Sequence, residues 1–63
     1  MKVSINYVKY HSIEIKIDDK YKDWKNDDNL YDELMDQCEE AVPYGVEIVS
    51  IFDDDTDNLI YDG

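Results

Sequence analysis

Val3, Ile5 and Tyr7 alternate with Ser4 and Asn6 at the start of the chain, the two-residue period of a half-buried strand. Ile13, Ile15 and Ile17 repeat the alternation against Glu14, Lys16 and Asp18. Between them, Lys9-Tyr10-His11-Ser12 is short enough for a hairpin connection, although it lacks the favoured Asn-Gly pair. The two runs predict an antiparallel hairpin with an isoleucine row inward and a mixed-charge row outward. Residues 18–29 are polar and carry no sustained period, so they read as a loop. Within it, Tyr21 and Trp24 fold back over the core edge; the alternative for Trp24 is an exposed binding anchor.

The next segment switches to a helical period. Asp27, Asp28 and Asn29 are all competent N-caps, and their acidity suits the positive end of a helix dipole. At about 100° per residue, Leu30, Tyr31, Leu34, Met35, Cys38, Ala41 and Val42 gather on one side of the wheel. Asp28, Asp32, Glu33, Asp36, Glu39 and Glu40 gather on the other. One face is apolar and the other anionic. Pro43 and Gly45 end the helix.

Val46, Ile48, Val49, Ile51 and Phe52 form a strand apolar on both sides, which suits a central place in a sheet. Asp53 to Asn58 make a polar turn, and Leu59-Ile60-Tyr61 return as a short last strand. The expected fold is α+β with the order ββαββ: a four-stranded antiparallel sheet with one amphipathic helix packed on one face. Sixty-three residues allow a single small domain, 1–63. A lone Cys38 permits no intramolecular disulfide, and a lone His11 speaks against a structural zinc site. Packing alone, or a partner, must hold the fold, and an apolar content of 43% distinguishes the chain from a disordered acidic tail.

Charge changes the picture most. All six lysines lie in residues 1–25, where four acids leave a sum of +2, and there is no arginine. Residues 26–63 hold thirteen Asp and Glu and no Lys, so that part sums to −13 and the whole to −11. The row Asp28, Asp32, Asp36, Glu40 sets like charges at i,i+4, each pair costing a few tenths of a kcal/mol. Glu39 and Glu40 also sit at the unfavourable end of the dipole. Stability alone does not select such a pattern; the alternatives are a solvated face and a surface that meets a basic partner. Carboxylates four residues apart rise about 6 Å per step, a charge density comparable to the phosphates of one DNA strand at roughly 3.4 Å spacing.

The acidic turn is a second candidate. Asp53, Asp55 and Asp57 fall at positions 1, 3 and 5 of an EF-hand loop and Ile60 at position 8. Asn58 replaces the glycine of position 6, the chain ends before the position-12 Glu, and no helix flanks the loop. A hairpin turn rich in Asx hydrogen bonds, with Asp53, Asp54, Asp55 and Asp57 as a second anionic lobe, is the stronger reading, ahead of weak Ca²⁺ binding. Among six tyrosines, Tyr7, Tyr31 and Tyr61 fall on inward faces. Tyr10, Tyr21 and Tyr44 sit in connections, open to packing or to contact. Ser4, Ser12, Ser50, His11 and Cys38 form no triad, and two glycines make no phosphate loop. No enzyme, metal or cofactor is expected. Direct nucleic-acid binding is opposed by the net charge.

In size, charge and the row Asp28, Asp32, Asp36, Glu39 and Glu40 with Asp53–Asp57, the chain resembles small phage-encoded inhibitors that imitate nucleic acid. Anti-CRISPR proteins and inhibitors of nucleases or glycosylases are of this type. The resemblance implies occupation of the basic channel of a nuclease, CRISPR effector or repair enzyme, with Tyr44 at the desolvated centre. An adaptor that binds a protein partner through an open sheet edge, Val3–Tyr7 or Leu59–Tyr61, is the competing expectation, with homodimerisation as a variant. The absence of a leader or of about 20 consecutive apolar residues, with the lone thiol, points to a cytoplasm; for a phage protein that is the bacterial host's.

Overall fold

Strand β1 (Lys2–Tyr7) pairs with β2 (His11–Lys16) in antiparallel register, Val3 opposite Ile15 and Ile5 opposite Ile13. The alternation thus delivers the inward isoleucine row, and on the outer face Lys2 Nζ meets Glu14 at 3.2 Å. These features come from a computed structural model that describes residues 1–8 and 10–63. Lys9, one of the hairpin lysines, lies outside the described residues. His11 and Ser12, assigned to the connection from sequence, belong to β2: Tyr7 pairs with His11 and their rings stack at 5.6 Å. Val8 and Tyr10 take positive φ values of 36° and 68°, so the tip is strained where Asn-Gly would have been at ease.

Asp18 starts a single 3₁₀ turn over Asp19–Tyr21 by accepting the Lys20 N–H at 2.9 Å. Beyond it Tyr21 and Trp24 are buried, which settles the lid against the exposed anchor. Helix α1 (Asp28–Ala41) is capped by Asp27, whose Oδ1 accepts the N–H groups of Asn29 and Leu30 at 3.0 and 3.3 Å. Of the three candidate caps, Asp27 alone has extended backbone and leaves the next two residues free to be helical. Leu34 and Cys38, four apart on the apolar stripe, are wholly buried and join Val3, Ile5, Ile51 and Ile60 in one core. Val42 leaves the helix in extended backbone, and Gly45 with φ 86° turns the chain back.

Strands β3 (Ile48–Asp53) and β4 (Asn58–Asp62) complete a sheet of order β2-β1-β3-β4, antiparallel throughout. The order is ββαββ as expected, and β3 is central. β1 is central too, which corrects the expectation that Val3–Tyr7 is an edge: the helix carries the chain to the side of β1 that β2 leaves free. The edges are β2 and β4. Val46, expected in the strand, lies before it in a turn whose N–H reaches the Pro43 carbonyl at 3.3 Å. The register shifts twice, between Asn6 and Tyr7 against β3 and between Ile51 and Phe52 against β4. Across the second shift Ile60 is buried and Tyr61 packs against the core, so neighbouring residues both serve the interior. Among the described residues no helix is long and apolar enough to cross a membrane.

Candidate partner-binding surface

The amphipathic stripe that buries Leu34 and Cys38 turns the opposite side of α1 to solvent. Asp28, Asp32, Glu33, Asp36, Glu39 and Glu40 are all exposed. Among the described residues the ion pairs are the Met1 ammonium with Asp19 and Lys2 with Glu14, so none of these six carboxylates is paired. The last helical turn carries no basic residue to offset its free carbonyls. The charge of Lys20 reaches Glu33 without forming an ion pair. By contrast, the Met1 ammonium 2.5 Å from Asp19 holds that carboxyl below the usual carboxylate range by a direct hydrogen bond and by its charge.

Tyr44 stands fully exposed just past the helix. It lines one concavity with Asp36, Glu39, Glu40 and Val42. Four of the expected site residues therefore meet at the C-terminal end of α1, with an aromatic ring beside three carboxylates. Of the other connection tyrosines, Tyr10 is exposed, and Tyr21 is buried with its hydroxyl accepting from Gln37 Nε2 at 3.0 Å. Tyr21 is core, not contact surface. Tyr7, Tyr31 and Tyr61 pack against the core from partly buried positions.

The acidic turn is built by its own side chains. Asp57 takes a left-handed φ of 57°, which Asp tolerates better than most residues. The Asp55 N–H donates to Asp53 Oδ1 at 3.0 Å, and Asn58 Nδ2 donates to Thr56 Oγ1 at 2.9 Å. Asp55 and Asp57 are exposed; Asp54 is half-buried and accepts the Ser4 hydroxyl at 2.5 Å. Asp55 shares a depression with Lys2 and Lys16 and accepts the Lys2 N–H at 3.3 Å. The turn thus sits beside two lysines.

Asp53 departs from the expected site. It is 2% exposed, and its Oδ2 accepts the Trp24 indole N–H at 3.1 Å. A partner has no access to it, and position 1 of the EF-hand-like spacing points into the core. Among the described residues no three His, Cys, Asp or Glu side chains gather as metal ligands. Cys38 is buried, and desolvation, with the nearby Glu39 charge, pushes its thiol up to about 11, which leaves it protonated and unreactive at neutral pH.

Sequence reasoning passed over Glu47. It is exposed and lines one groove with Tyr44 and Glu39. The available signal was its place as the sole charge in an apolar stretch running from Ala41 to Phe52. Against family models, curated protein sequences and solved structures, the chain finds no match.

Proposed function

We propose that the protein is an acidic inhibitor that imitates nucleic acid and occupies the basic channel of a nucleic-acid-binding protein such as a nuclease or CRISPR effector. One observation carries this reading: six exposed carboxylates on a single helix face, none ion-paired among the described residues, on a scaffold that buries its apolar side normally. A face kept for solubility alone gains from interleaved lysines, which shed the i,i+4 repulsion. A face that meets Arg and Lys gains from their exclusion. Long-range attraction then speeds encounter, and charge-assisted hydrogen bonds replace those the partner makes to phosphate.

The test is capture of partners by the tagged protein from nuclease-treated bacterial lysate, with and without excess duplex DNA. The expected result is a nucleic-acid enzyme that the duplex displaces, and loss of that capture in the triple variant Asp32→Lys, Asp36→Lys, Glu40→Lys. Undiminished capture by the triple variant sinks the reading at the helix. The adaptor reading retains one supporting observation, the open edge of β4 beside the exposed pair Phe52 and Leu59. A partner that duplex DNA leaves in place favours it.

A further inference from the structure

The C-terminal end of α1 meets the start of β3 across a groove of about 380 Å³. Its walls are the apolar side chains of Met35, Val42, Val46, Ile48 and Tyr61. Glu39 rims it from the helix and Glu47 from the strand side, both exposed, and Tyr44 stands at the lip. No lysine occurs after residue 25, so the segments that build the groove supply no cation to their own rim. The free carbonyls of the last helical turn add partial negative charge beside it.

We infer that this groove seats an arginine side chain of a protein partner. The inference rests on the basic-partner reading above and deepens it by naming the anchor. An arginine combines an apolar stem, which suits the Met35–Ile48 wall, with a planar cation, which suits two carboxylates and a tyrosine face. An uncharged apolar side chain would fill the walls and leave the acidic rim unanswered. An ammonium answers the rim but cannot stack on Tyr44 or bridge two acids through a planar fork. The helix row then supplies attraction over the whole face, and the groove supplies the desolvated contact that charge alone does not give.

The experiment titrates n-butylguanidinium into the full ¹⁵N-labelled chain and follows its amide resonances, with n-butylammonium and guanidinium in parallel. The expected result is saturable shifts that centre on the groove, at Glu39, Val42, Tyr44, Val46, Glu47 and Ile48. Affinity should fall about fivefold in the double variant Glu39→Gln, Glu47→Gln, whose own spectrum reports that it is folded. n-Butylammonium should bind about threefold or more weakly than n-butylguanidinium. Shifts that spread without saturation along Asp28–Glu40 overturn the groove while leaving a general anionic surface standing. Equal affinity for the two butyl cations overturns arginine as the occupant, and an unaffected double variant overturns the rim. The mimicry reading fails separately: saturation of the groove, together with a partner that duplex DNA does not displace, keeps the groove and removes the mimic.

Discussion

Asp53 shows how the same residue type serves opposite ends. In the run Asp53-Asp54-Asp55 the first carboxylate is buried on Trp24, the second half-buried on Ser4, and the third faces water beside Lys2. Asp53→Ala should cost about 2 kcal/mol in denaturant unfolding, because the buried indole N–H is left without an acceptor. Asp53→Asn keeps one acceptor oxygen for the indole but turns its amide nitrogen toward the Asp55 N–H. It should lose less than Asp53→Ala without matching the parent; equal losses would mean that the hydrogen bond to Trp24 is not what the site provides. The inward place of Asp53 was legible, since it follows Ile51 by two on one strand, but its membership of an acidic cluster masked the period. Cys38 offers a second measurement at this scale. Its folded thiol holds a proton more tightly than the ordinary value of 9.0, up to about 11. Stability from this group is full below pH 9 and is lost as the pH rises from there through about 11. The comparison is with Cys38→Ala, which should show a shallower decline in unfolding free energy over that range. Parallel declines would mean that the thiol contributes nothing to the slope.

At the scale of elements, α1 is stable in spite of its outer face. Asp27 caps it, Asp28 suits its first turn, and Leu34 and Cys38 anchor it; the acids beyond Asp28 oppose it through mutual repulsion and, near its end, through the dipole. The triple lysine variant leaves like charges at 32/36 and 36/40, but it sets cations beside Asp28, Glu33 and Glu39, puts one at the negative end of the dipole and cuts the net charge of −11 by six. It should therefore unfold at a higher temperature than the parent, by about 1 kcal/mol of stability, even as its binding fails. Lower stability would mean that these side chains make contacts within the fold. The helix and its two faces could be read from sequence because a 3.6-residue period is a local property. The hairpin β1–β2 was legible for the same reason. Strand order and both register shifts were not, because they depend on which side of β1 the chain reaches after the helix. The bulge that lets Ile60 and Tyr61 both face inward breaks the two-residue alternation on which strand reading relies. The groove at Tyr44 was invisible because it joins Met35 to Tyr61 through space.

For the whole molecule, the segregation of charge along the chain is kept in part: the acidic turn returns beside Lys2 and Lys16. The lysines described in the structure lie on β1, β2 and the connection after them, and six exposed acids without an ion pair among the described residues share one face of α1. With a net charge of −11, self-repulsion opposes compaction. Raising the ionic strength from about 0.01 M to 0.15 M shortens the Debye length from about 30 Å to 8 Å, and the melting temperature should climb. The same change should weaken the complex with a basic partner. An affinity flat across that range would assign the interface to apolar contact instead.

The central pair of the sheet, β1 against β3, joins residues as far apart as Ser4 and Phe52. No stretch of chain short of β3 can therefore make β1 an interior strand. During synthesis the first hairpin and then the helix emerge with Val3, Ile5, Leu34 and Cys38 still lacking Ile51, and the core closes only after β3 has emerged. Such long-range closure slows folding relative to helical domains of equal length. In that interval the like charges of the nascent helix repel those of neighbouring copies, which opposes association of the unfinished chain.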